Sequence, residues 1–506
     1  MSLSKVLTRA ALGVQAPLVT IEVHISNGLP ALTLVGLPET TVKEARERVR
    51  SAIINSGFTF PAKRVTINLA PADLPKEGGR YDLPIAIAIL AASEQLPGDK
   101  LAHYEFLGEL ALNGALCGVQ AAIPAAMAAL QAGRQMVLAE QNQQDVGLIQ
   151  QGETLVGKHL VEICAFLHNQ TALTVANYQP ETVPHEQQDL SDIIGQQQGR
   201  RALEITAAGG HNLLLLGPPG TGKTMLATRL PGIMPPLDDQ EALECAAIAS
   251  LVSSGTLHHQ WRKRPFRAPH HSASLYALVG GGSLPRPGEI SLAHNGVLFL
   301  DELPEFERKA LDALREPIES GEIAISRSRA KVTFPARFQL IGAMNPSPTG
   351  HYQGNHNRCT PQQVLRYLSR LSGPFLDRFD LSLEIPLLPG GSLSQKQQHS
   401  ETSAQVRARV LAARAIQMAR AGKVNAQLSN PEIARDCVLQ QQDAEWLEEI
   451  LNALGLSVRA WQRILKVART IADLAGERQI TRQHLQEAVG YRSIDRLLIY
   501  LHKSLE

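Results

Sequence analysis

A glycine-rich loop that follows an apolar run is the strongest chemical signal in this sequence of 506 residues. The loop fits the pattern G-x-x-x-x-G-K-[ST], and its residues are Gly217, Pro218, Pro219, Gly220, Thr221, Gly222, Lys223 and Thr224. Between a strand and a helix, such a loop cradles phosphates with its backbone N–H groups and with the helix N-terminus. We therefore predict an ATP site in which Lys223 neutralises the β- and γ-phosphates and the Thr224 hydroxyl binds Mg²⁺.

Two carboxylates end a second apolar run, "GVLFLDEL". Parallel sheets bind their ligands at the C-terminal ends of the strands, which is where Asp301 and Glu302 are expected to lie. We predict that Asp301 completes the Mg²⁺ shell and that Glu302 polarises the attacking water. A third run, "FQLIGAMNP", ends in Asn345, which we expect to orient the same water.

The elements that must position these residues indicate a multi-domain α/β fold. The first part of the chain mixes strand-like stretches with alanine-rich helical ones, whereas "NYQPETVPHEQQDL" is polar, contains two prolines and is typical of a linker. A repeated pattern of buried strand, glycine turn and helix follows, and the remainder has helical spacing. We predict an α+β domain at 1–176, a linker at 177–190, a P-loop NTPase domain at 191–390 and a helical domain at 391–506.

These motifs, together with "DIIGQQQGRRAL" and "SGPFLDRFDL", resemble the AAA+ ATPases of the magnesium-chelatase and minichromosome-maintenance branch. Over essentially its whole length the chain resembles the ComM (YifB) family, which moves DNA branch points when incoming DNA is integrated during natural transformation. The resemblance implies ATP and Mg²⁺ as cofactors and a C-terminal helical lid. It implies that Arg378 is an arginine finger acting on a neighbouring subunit's ATP, that Arg459 is the sensor-2 arginine, and that Ile194 and Gly195 lie near the adenine. Arg370 is a weaker candidate for a contact with a neighbour, with an exposed helix arginine as the alternative.

The stretch "PADLPKEGGRYDLPIAIAIL" resembles the active-site region of the Lon protease family. The position of the serine nucleophile in that family falls on Asp82, and the position of its lysine partner falls near Ile123. A carboxylate cannot form the acyl-enzyme that Ser-Lys chemistry requires, and no lysine occurs from residue 101 to residue 157. We predict a Lon-protease-like (S5 domain 2-like) N-terminal domain without proteolytic activity, retained as a binding or assembly module.

Composition limits how this protein can bind nucleic acid and where it works. A formal net charge of +1 gives no global attraction to DNA, and 4% aromatic residues argue against a long base-stacking platform, so DNA contacts must come from local patches. No apolar run approaches the ~20 residues of a membrane span. Five cysteines without a Cys-x-x-Cys pair suit a reducing cytosol, so we predict a cytoplasmic protein without a membrane partner.

A basic hairpin is the best candidate for DNA contacts. The segment "GEIAISRSRAKVTF" alternates like two strands, with Arg327, Arg329 and Lys331 around the turn. In the minichromosome-maintenance relatives an equivalent hairpin projects into a central channel. The alternative is a surface hairpin with ordinary solvated charges.

Two histidine-containing segments suggest metal sites less strongly than they suggest solvated loops. The first contains His258, His259, His270 and His271 around the cations Arg262, Lys263, Arg264 and Arg267. Without a cysteine or carboxylate at ligand spacing, we interpret it as a solvated basic loop. In the second, Cys359 has only His351 and His356 nearby, so we predict no metal there.

These features favour a homo-hexameric, ATP-driven motor that moves branch points in branched or forked DNA without reading its sequence. The alternative is a chelatase-like remodeller that acts on a protein or metal-insertion partner. A Lon-like protease is disfavoured because both catalytic residues are missing. All three share the ATP motifs, so these motifs cannot separate them.

Overall fold

The computed structural model describes residues 2–36, 39–178, 188–327, 330–353, 357–390, 400–456 and 458–505. Within these ranges the chain forms an N-terminal region built on a mixed sheet, a central region built on a parallel sheet, and a C-terminal region of helices. None of the described helices combines the length and the apolar character needed to cross a membrane.

The N-terminal region is built on eight strands in the order β10-β9-β8-β5-β1-β2-β4-β3, and two further strands, β6 and β7, pair separately. Strands β1, β2 and β4 are antiparallel neighbours, whereas β5, β8 and β9 run parallel. The strands are β1 (Ser2–Arg9), β2 (Leu18–Ser26), β3 (Ala31–Val35), β4 (Arg64–Ala70), β5 (Tyr104–Phe106), β6 (Glu109–Leu110), β7 (Leu116–Cys117), β8 (Gln135–Ala139), β9 (Leu155–Gly157) and β10 (Thr174–Val175). The helices are α1 (Glu39–Asn55), α2 (Asp82–Ala92), α3 (Ala122–Gln131), α4 (Gln143–Val146) and α5 (Leu160–Leu167).

The central region contains a five-stranded sheet in the order β12-β15-β18-β11-β19, and all its pairings are parallel. The apolar runs of the sequence form β11, β15 and β18, which are buried along their whole length because helices cover both faces. The five strands are β11 (Leu213–Leu216), β12 (Phe266–Arg267), β15 (Val297–Leu300), β18 (Gln339–Met344) and β19 (Leu381–Glu384). Their C-terminal ends therefore share one edge, at which the phosphate loop follows β11, Asp301 follows β15 and Asn345 follows β18.

Two small antiparallel pairs and nine helices complete the described part of the central region. The pairs are β13 (Gly280–Gly281) with β14 (Arg286–Pro287), and β16 (Glu322–Arg327) with β17 (Ala330–Pro335). The helices are α6 (Gln197–Gly209), α7 (Lys223–Ile233), α8 (Asp239–Ser250), α9 (Leu275–Val279), α10 (Glu289–Leu292), α11 (Arg308–Ala313), α12 (Arg315–Ser320), α13 (Pro361–Leu368) and α14 (Gly373–Leu376).

The C-terminal region packs directly on the central one. Its helices are α15 (Ser403–Ala421), α16 (Asn430–Asp436), α17 (Gln441–Ala453), α18 (Val458–Ala475), α19 (Arg482–Gly490) and α20 (Ser493–Lys503). Helix α15 packs against α6 and α7, and α18 packs against α6. Leu203 of α6, Val410 of α15 and Ile464 of α18 belong to one hydrophobic cluster. Helix α6 of the central region and helices α15 and α18 of the C-terminal region thus share one hydrophobic core.

The N-terminal region is joined to the central one by hydrogen bonds to the end of α8 and to the segment that follows it. Asp145 accepts from the backbone N–H groups of Gly255, at 2.5 Å, and of Leu257, at 3.1 Å. The N–H of Ala121 donates to the Ser250 carbonyl at 2.7 Å. Asp145 is buried, so these contacts are shielded from water and stronger than the same bonds at a surface.

Candidate nucleotide site

The phosphate loop lies between the end of β11 and the start of α7, as its sequence predicts. Gly220 and Gly222 have φ angles of +79° and +89°, a backbone conformation that residues other than glycine rarely adopt. A Cβ atom at either position would meet no heavy atom within 4 Å, so the space in front of the loop is open. The N-terminus of α7 faces this space with its unpaired N–H groups and positive dipole end, an arrangement that binds anions.

Lys223 is folded back onto the loop that precedes it. Its Nζ donates to the carbonyls of Gly217 at 2.7 Å and Pro218 at 2.8 Å, and contacts Asn345 Oδ1 at 3.4 Å. Burial lowers the pKa of Lys223, and the negative charge of Asp301 opposes this effect. The Lys223 ammonium group thus contacts both the phosphate loop and Asn345, which follows β18. When a nucleotide binds, phosphate oxygens can replace the two loop carbonyls as partners of the ammonium group.

The predicted magnesium ligands are in contact with each other. The Thr224 hydroxyl donates to Asp301 Oδ2 at 3.0 Å, and the other oxygen of Asp301 accepts from the Glu302 N–H at 2.8 Å. A hydroxyl and a carboxylate beside a phosphate loop are oxygen donors of the kind that Mg²⁺ prefers. These residues fit a magnesium–nucleotide complex. No three His, Cys, Asp or Glu side chains in the described ranges lie close enough to share a metal ion, and His356 lies outside those ranges.

Glu302 has a partner that the sequence did not predict. His271 Nδ1 lies 2.9 Å from Glu302 Oε2, and the His271 ring packs edge-on against Phe306. Glu302 itself has a φ of +53°, so its backbone is held in a left-handed conformation where the strand ends. One oxygen of the predicted water-polarising carboxylate is therefore occupied by an imidazole.

We expect His271→Ala to raise ATP hydrolysis in the absence of any other macromolecule. The substitution removes the partly exposed contact between His271 and Glu302, which is worth up to about 1 kcal/mol, and so frees the Glu302 carboxylate. This free energy corresponds to a rise in the hydrolysis rate of up to about fivefold. His168→Ala is the control, because His168 lies in the N-terminal region, where its ring contacts the Gln95 carbonyl at 3.1 Å. Steady-state phosphate release measures both variants, and an unchanged or lower rate in His271→Ala would contradict the expectation.

The residues expected near the adenine lie next to the phosphate loop. Ile194 and Gly195 precede Gln196, whose side-chain amide donates to the carbonyls of Thr221 at 3.1 Å and Pro386 at 3.0 Å. A Cβ on Gly195 would lie 3.0 Å from Leu388 Cδ2. Ile194 and Gly195 therefore lie between the phosphate loop and the segment after β19. Gln196 links the phosphate loop to the segment after β19. The sequence did not predict this role, because a single glutamine belongs to no recognisable motif.

Arg378 lies at the opposite edge of the parallel sheet from the phosphate loop. Asn212, which precedes β11, donates through Nδ2 to the Arg378 carbonyl at 2.9 Å. Gly217 begins the loop at the other end of the same strand, and at about 3.3 Å per residue the two ends are roughly 16 Å apart. The Arg378 guanidinium forms an ion pair with Glu319. Arg378 is therefore not assembled with this chain's own phosphate site.

Arg459 lies beside Arg378 rather than beside Lys223. Arg459 Nη1 is 3.7 Å from Asp377 Oδ2, and its side chain is 70% exposed. Arg463, one helical turn further along α18, contacts the other oxygen of Asp377 at 3.2 Å. The three arginines line one cavity of about 970 Å³ between the central and C-terminal regions. The structure thus divides the predicted catalytic residues into two groups.

Arg370 belongs to the group at the phosphate site. It lines a cavity of about 990 Å³ together with Glu302, Asn345 and Arg366. Its Nη1 lies 3.0 Å from Glu305 Oε1, and its side chain is 54% exposed. It stands after the end of α13 and not within a helix.

The predicted β-hairpin is confirmed as the pair β16–β17. Its strands alternate as predicted: Ile325 and Val332 are buried, whereas Lys331 is exposed opposite Ser326. Arg329 lies outside the described residues, and so does the side chain of Arg327. The structure therefore places one of the three predicted DNA-contacting cations on the exposed face.

The interpretation of the other basic segment as a solvated loop is wrong for two of its arginines. Arg264 is largely buried and donates to the carbonyls of Pro235 and Asn295, at 2.5 and 2.6 Å. Arg267 forms a two-pronged pair with Glu289 at 2.5 and 2.7 Å. Their partners are distant in sequence, so the local pattern of cations could not reveal these contacts.

Of the two positions that correspond to the Lon catalytic pair, one forms a structural ion pair and the other is apolar. Asp82 is fully buried at the start of α2, and Arg48 donates to its two oxygens at 2.7 and 3.3 Å. Burial raises the pKa of Asp82 to about 6, against the opposing effect of Arg48. Ile123 is buried in α3. Lys76 donates to the backbone carbonyls of Pro71 and Leu74.

We expect neither the wild-type protein nor Asp82→Ser to degrade unfolded casein with ATP present. A serine at position 82 would still lack a general base, because Ile123 stands at the lysine position. Release of labelled peptides measures this, with Asp82→Asn as the control for contaminating proteases. Casein degradation by Asp82→Ser that is absent from Asp82→Asn would show that the site retains catalytic capacity.

Comparisons with known proteins agree along the whole chain. The family described as "Magnesium chelatase, subunit ChlI" matches residues 189–393, "Subunit ChlI of Mg-chelatase" matches residues 21–142, and "Magnesium chelatase, subunit ChlI C-terminal" matches residues 400–492. The YifB protein of Salmonella typhimurium is 68% identical over 505 residues, covering 100% of both chains. The competence protein ComM of Haemophilus influenzae is 62% identical over 98% of this chain and 99% of its own. The magnesium-chelatase 38 kDa subunit of Cereibacter sphaeroides is 28% identical over 39% of this chain and 58% of its own.

Proposed function

Since the chain belongs to the family of the YifB and ComM proteins, with magnesium-chelatase domains of an AAA+ ATPase family, we propose that it is an ATP-driven motor that moves branch points in DNA. The observation that supports ATP-driven work most strongly is the assembled phosphate site, where Lys223, Asn345 and the Thr224–Asp301 pair meet at one edge of the sheet. Similarity to a competence protein along almost the whole chain supports DNA as the substrate.

The described side chains suggest a division of labour during hydrolysis. The loop N–H groups and Lys223 bind the phosphates, and Thr224 and Asp301 hold Mg²⁺, which neutralises phosphate charge. Glu302 polarises the attacking water once it leaves His271, and Asn345 orients the same water. Each of these residues lies at the C-terminal edge of the parallel sheet, so local strand geometry alone assembles this half of the chemistry.

The other half comes from a neighbouring subunit in this proposal. Arg378 and Arg459 lie together at the far edge of the sheet, about a strand length from the phosphate loop of their own chain. A ring of identical subunits brings this face of one chain against the phosphate site of the next. We propose a homo-hexamer in which Arg378 stabilises the transition-state charge on the neighbour's ATP and Arg459 supports it.

The hairpin and the flanking domains take the remaining roles. The exposed face of β16–β17 carries Lys331, and the hairpin leads through β17 to β18, which ends beside Asn345. A change at the γ-phosphate can therefore move the cations that hold the DNA backbone. The N-terminal domain is a Lon-like module without proteolytic activity, the C-terminal helices act as the lid, and the protein works in the cytoplasm.

A chelatase-like remodeller of a protein partner is the second candidate, favoured by the match to the magnesium-chelatase subunit over part of the chain. ATP hydrolysis measured with forked DNA separates the two candidates, because the DNA motor requires stimulation by DNA and the remodeller does not. Strand exchange on a synthetic four-way junction is the direct readout. A protein that hydrolyses ATP but neither responds to forks nor exchanges strands would contradict the proposal.

We expect replacement of Arg327, Arg329 and Lys331 by alanine to reduce DNA stimulation and branch migration similarly across sequences. These cations contact phosphates rather than bases, so the salt dependence of binding should flatten by about one counterion per contact removed. Binding to labelled forks at several salt concentrations measures this. Arg308→Ala with Lys309→Ala, two exposed cations of α11 in the same domain, is the control. A wild-type salt slope in the hairpin variant would show that the hairpin does not hold DNA.

A further inference from the structure

The turn between β1 and β2 reaches from the N-terminal domain to the hairpin. A Cβ atom on Gly13 would lie 2.6 Å from Val332 Cγ1 and 3.9 Å from Phe334 Cε1, both in β17. Gly13 has a φ of +59°, so glycine is favoured there both by conformation and by space. The backbone of the N-terminal domain therefore lies directly against the buried face of the hairpin.

The side chains around Gly13 extend this contact. Ala11, Leu12 and Val14 pack against the hydrophobic cluster that contains Ile325, Val332 and Phe334. These three hairpin residues are at most 7% exposed, and the opposite face of the hairpin carries Lys331 toward solvent. The apolar face of the hairpin is thus covered in part by another domain, and its polar face is left available.

The turn is held firmly in its own domain. The Ala10 N–H donates to the Pro17 carbonyl at 2.9 Å, which closes the turn. Arg9, which precedes it, forms a two-pronged buried pair with Glu105 at 2.6 and 2.7 Å and donates to the Ala16 carbonyl at 3.3 Å. Both charges of this pair are buried, so breaking it would leave an uncompensated charge in the interior, and this cost holds the turn in its domain.

The domain that carries the turn is in turn fixed to the ATPase domain at a second place. Asp145 binds the backbone of Gly255 and Leu257, in the segment that leads from α8 toward β12 and His271. A rigid body attached at two points fixes the distance between them. The N-terminal domain therefore connects the hairpin to the segment that ends at the partner of Glu302.

We propose that the N-terminal domain positions the β16–β17 hairpin, so that it forms part of the DNA-holding apparatus. This inference rests on the proposed function for its DNA part only. It assigns the domain a mechanical task that needs none of the residues of peptide-bond hydrolysis, in agreement with the Arg48–Asp82 pair that fills the former site. Gly13 is a positioning residue in this proposal, because it acts through Val332.

Gly13→Ala tests the contact, since its new methyl group collides with Val332. Overpacking of this kind weakens local structure enough that we expect hydrogen exchange of hairpin amides in residues 322–335 to become about tenfold faster. DNA stimulation of hydrolysis should fall several-fold. Val332→Ala combined with Gly13→Ala removes the colliding Cγ1 atom, so it should restore both readouts toward those of Val332→Ala alone.

Gly57→Ala is the matched control. Gly57 lies in the same domain with a φ of +82°, but a Cβ there meets nothing within 4 Å. It also places an alanine at a positive φ but does not touch the hairpin, so hairpin exchange should stay at the wild-type rate. Leu12→Ala is a second variant that removes packing without a collision, and it should also speed hairpin exchange. Leu12→Ala keeps the test possible if Gly13→Ala does not fold.

Unchanged hairpin exchange in both Gly13→Ala and Leu12→Ala would overturn the proposal, as would equal effects of Gly13→Ala and Gly57→Ala. Faster exchange with undiminished DNA stimulation would overturn the link between hairpin position and DNA. If the wild-type protein shows no DNA stimulation, the proposed function fails, while the exchange measurements still decide whether the N-terminal domain holds the hairpin.

Discussion

Glu302→Gln is expected to bind ATP and assemble normally but to hydrolyse it at least about 100-fold more slowly, because general-base assistance contributes at least that factor. The amide keeps the shape of the side chain and loses the charge that polarises water. Lys223→Ala should instead lose nucleotide binding, because Lys223 is the cation inside the phosphate loop. Binding of a fluorescent ATP analogue and single-turnover hydrolysis distinguish the two defects.

Glu305→Gln is the control for Glu302→Gln. Glu305 lines the same cavity and pairs with Arg370 at 3.0 Å, but it stands one turn beyond the strand end that carries the catalytic pair. It should hydrolyse ATP within a few-fold of the wild-type rate, since a surface ion pair contributes about 1 kcal/mol or less. Hydrolysis by Glu302→Gln at the rate of Glu305→Gln would remove Glu302 from the mechanism.

Arg378→Ala is expected to bind ATP and to hydrolyse it about 1000-fold more slowly, the lower limit of the effect that arginine fingers have. Because Arg378 lies at the far edge of the sheet from its own phosphate loop, the loss should appear on the neighbouring subunit. Added to wild-type protein, the variant should therefore inhibit it. Arg286→Ala, which removes an exposed arginine of the same domain, should have neither effect.

Mixing two inactive variants gives the sharpest test of this arrangement. In a one-to-one mixture of Arg378→Ala and Glu302→Gln, about a quarter of head-to-tail interfaces join an intact Glu302 to an intact Arg378. Such interfaces should recover hydrolysis that neither variant shows alone. If Arg378 served its own chain, every subunit would carry a defect and the mixture would stay inactive.

The phosphate site was predictable because its residues are placed by patterns of neighbouring residues in the sequence. Each apolar run forms one strand, and each strand of a parallel sheet ends at the same edge. Asp301 and Asn345 directly follow their strands, and Lys223 follows β11 after the phosphate loop. The hairpin was predictable for the same reason, since the alternation around residue 328 is a property of neighbouring residues.

The remaining contacts depend on residues that are far apart in sequence. His271 meets Glu302 across the sheet edge, and its position beside several arginines suggested a solvated loop instead. Arg267 is neutralised by Glu289, and Gly13 meets Val332 more than 300 positions later. Periodicity and motif spacing carry no information about such pairs, because they describe how an element folds and not which elements become neighbours.

The separation of Arg378 from its own phosphate loop also bears on how turnover responds to dilution. In the proposed arrangement, a single chain binds nucleotide but lacks the arginine that completes its catalytic centre. Specific activity should then rise with protein concentration and vanish on dilution below the dissociation constant of the assembly, even at saturating ATP. An open chain of n subunits also has one working centre fewer than a closed ring of n. Free subunits in the cell would consequently bind ATP without hydrolysing it, hydrolysis would begin when subunits associate, and closure of the ring would add the last working centre.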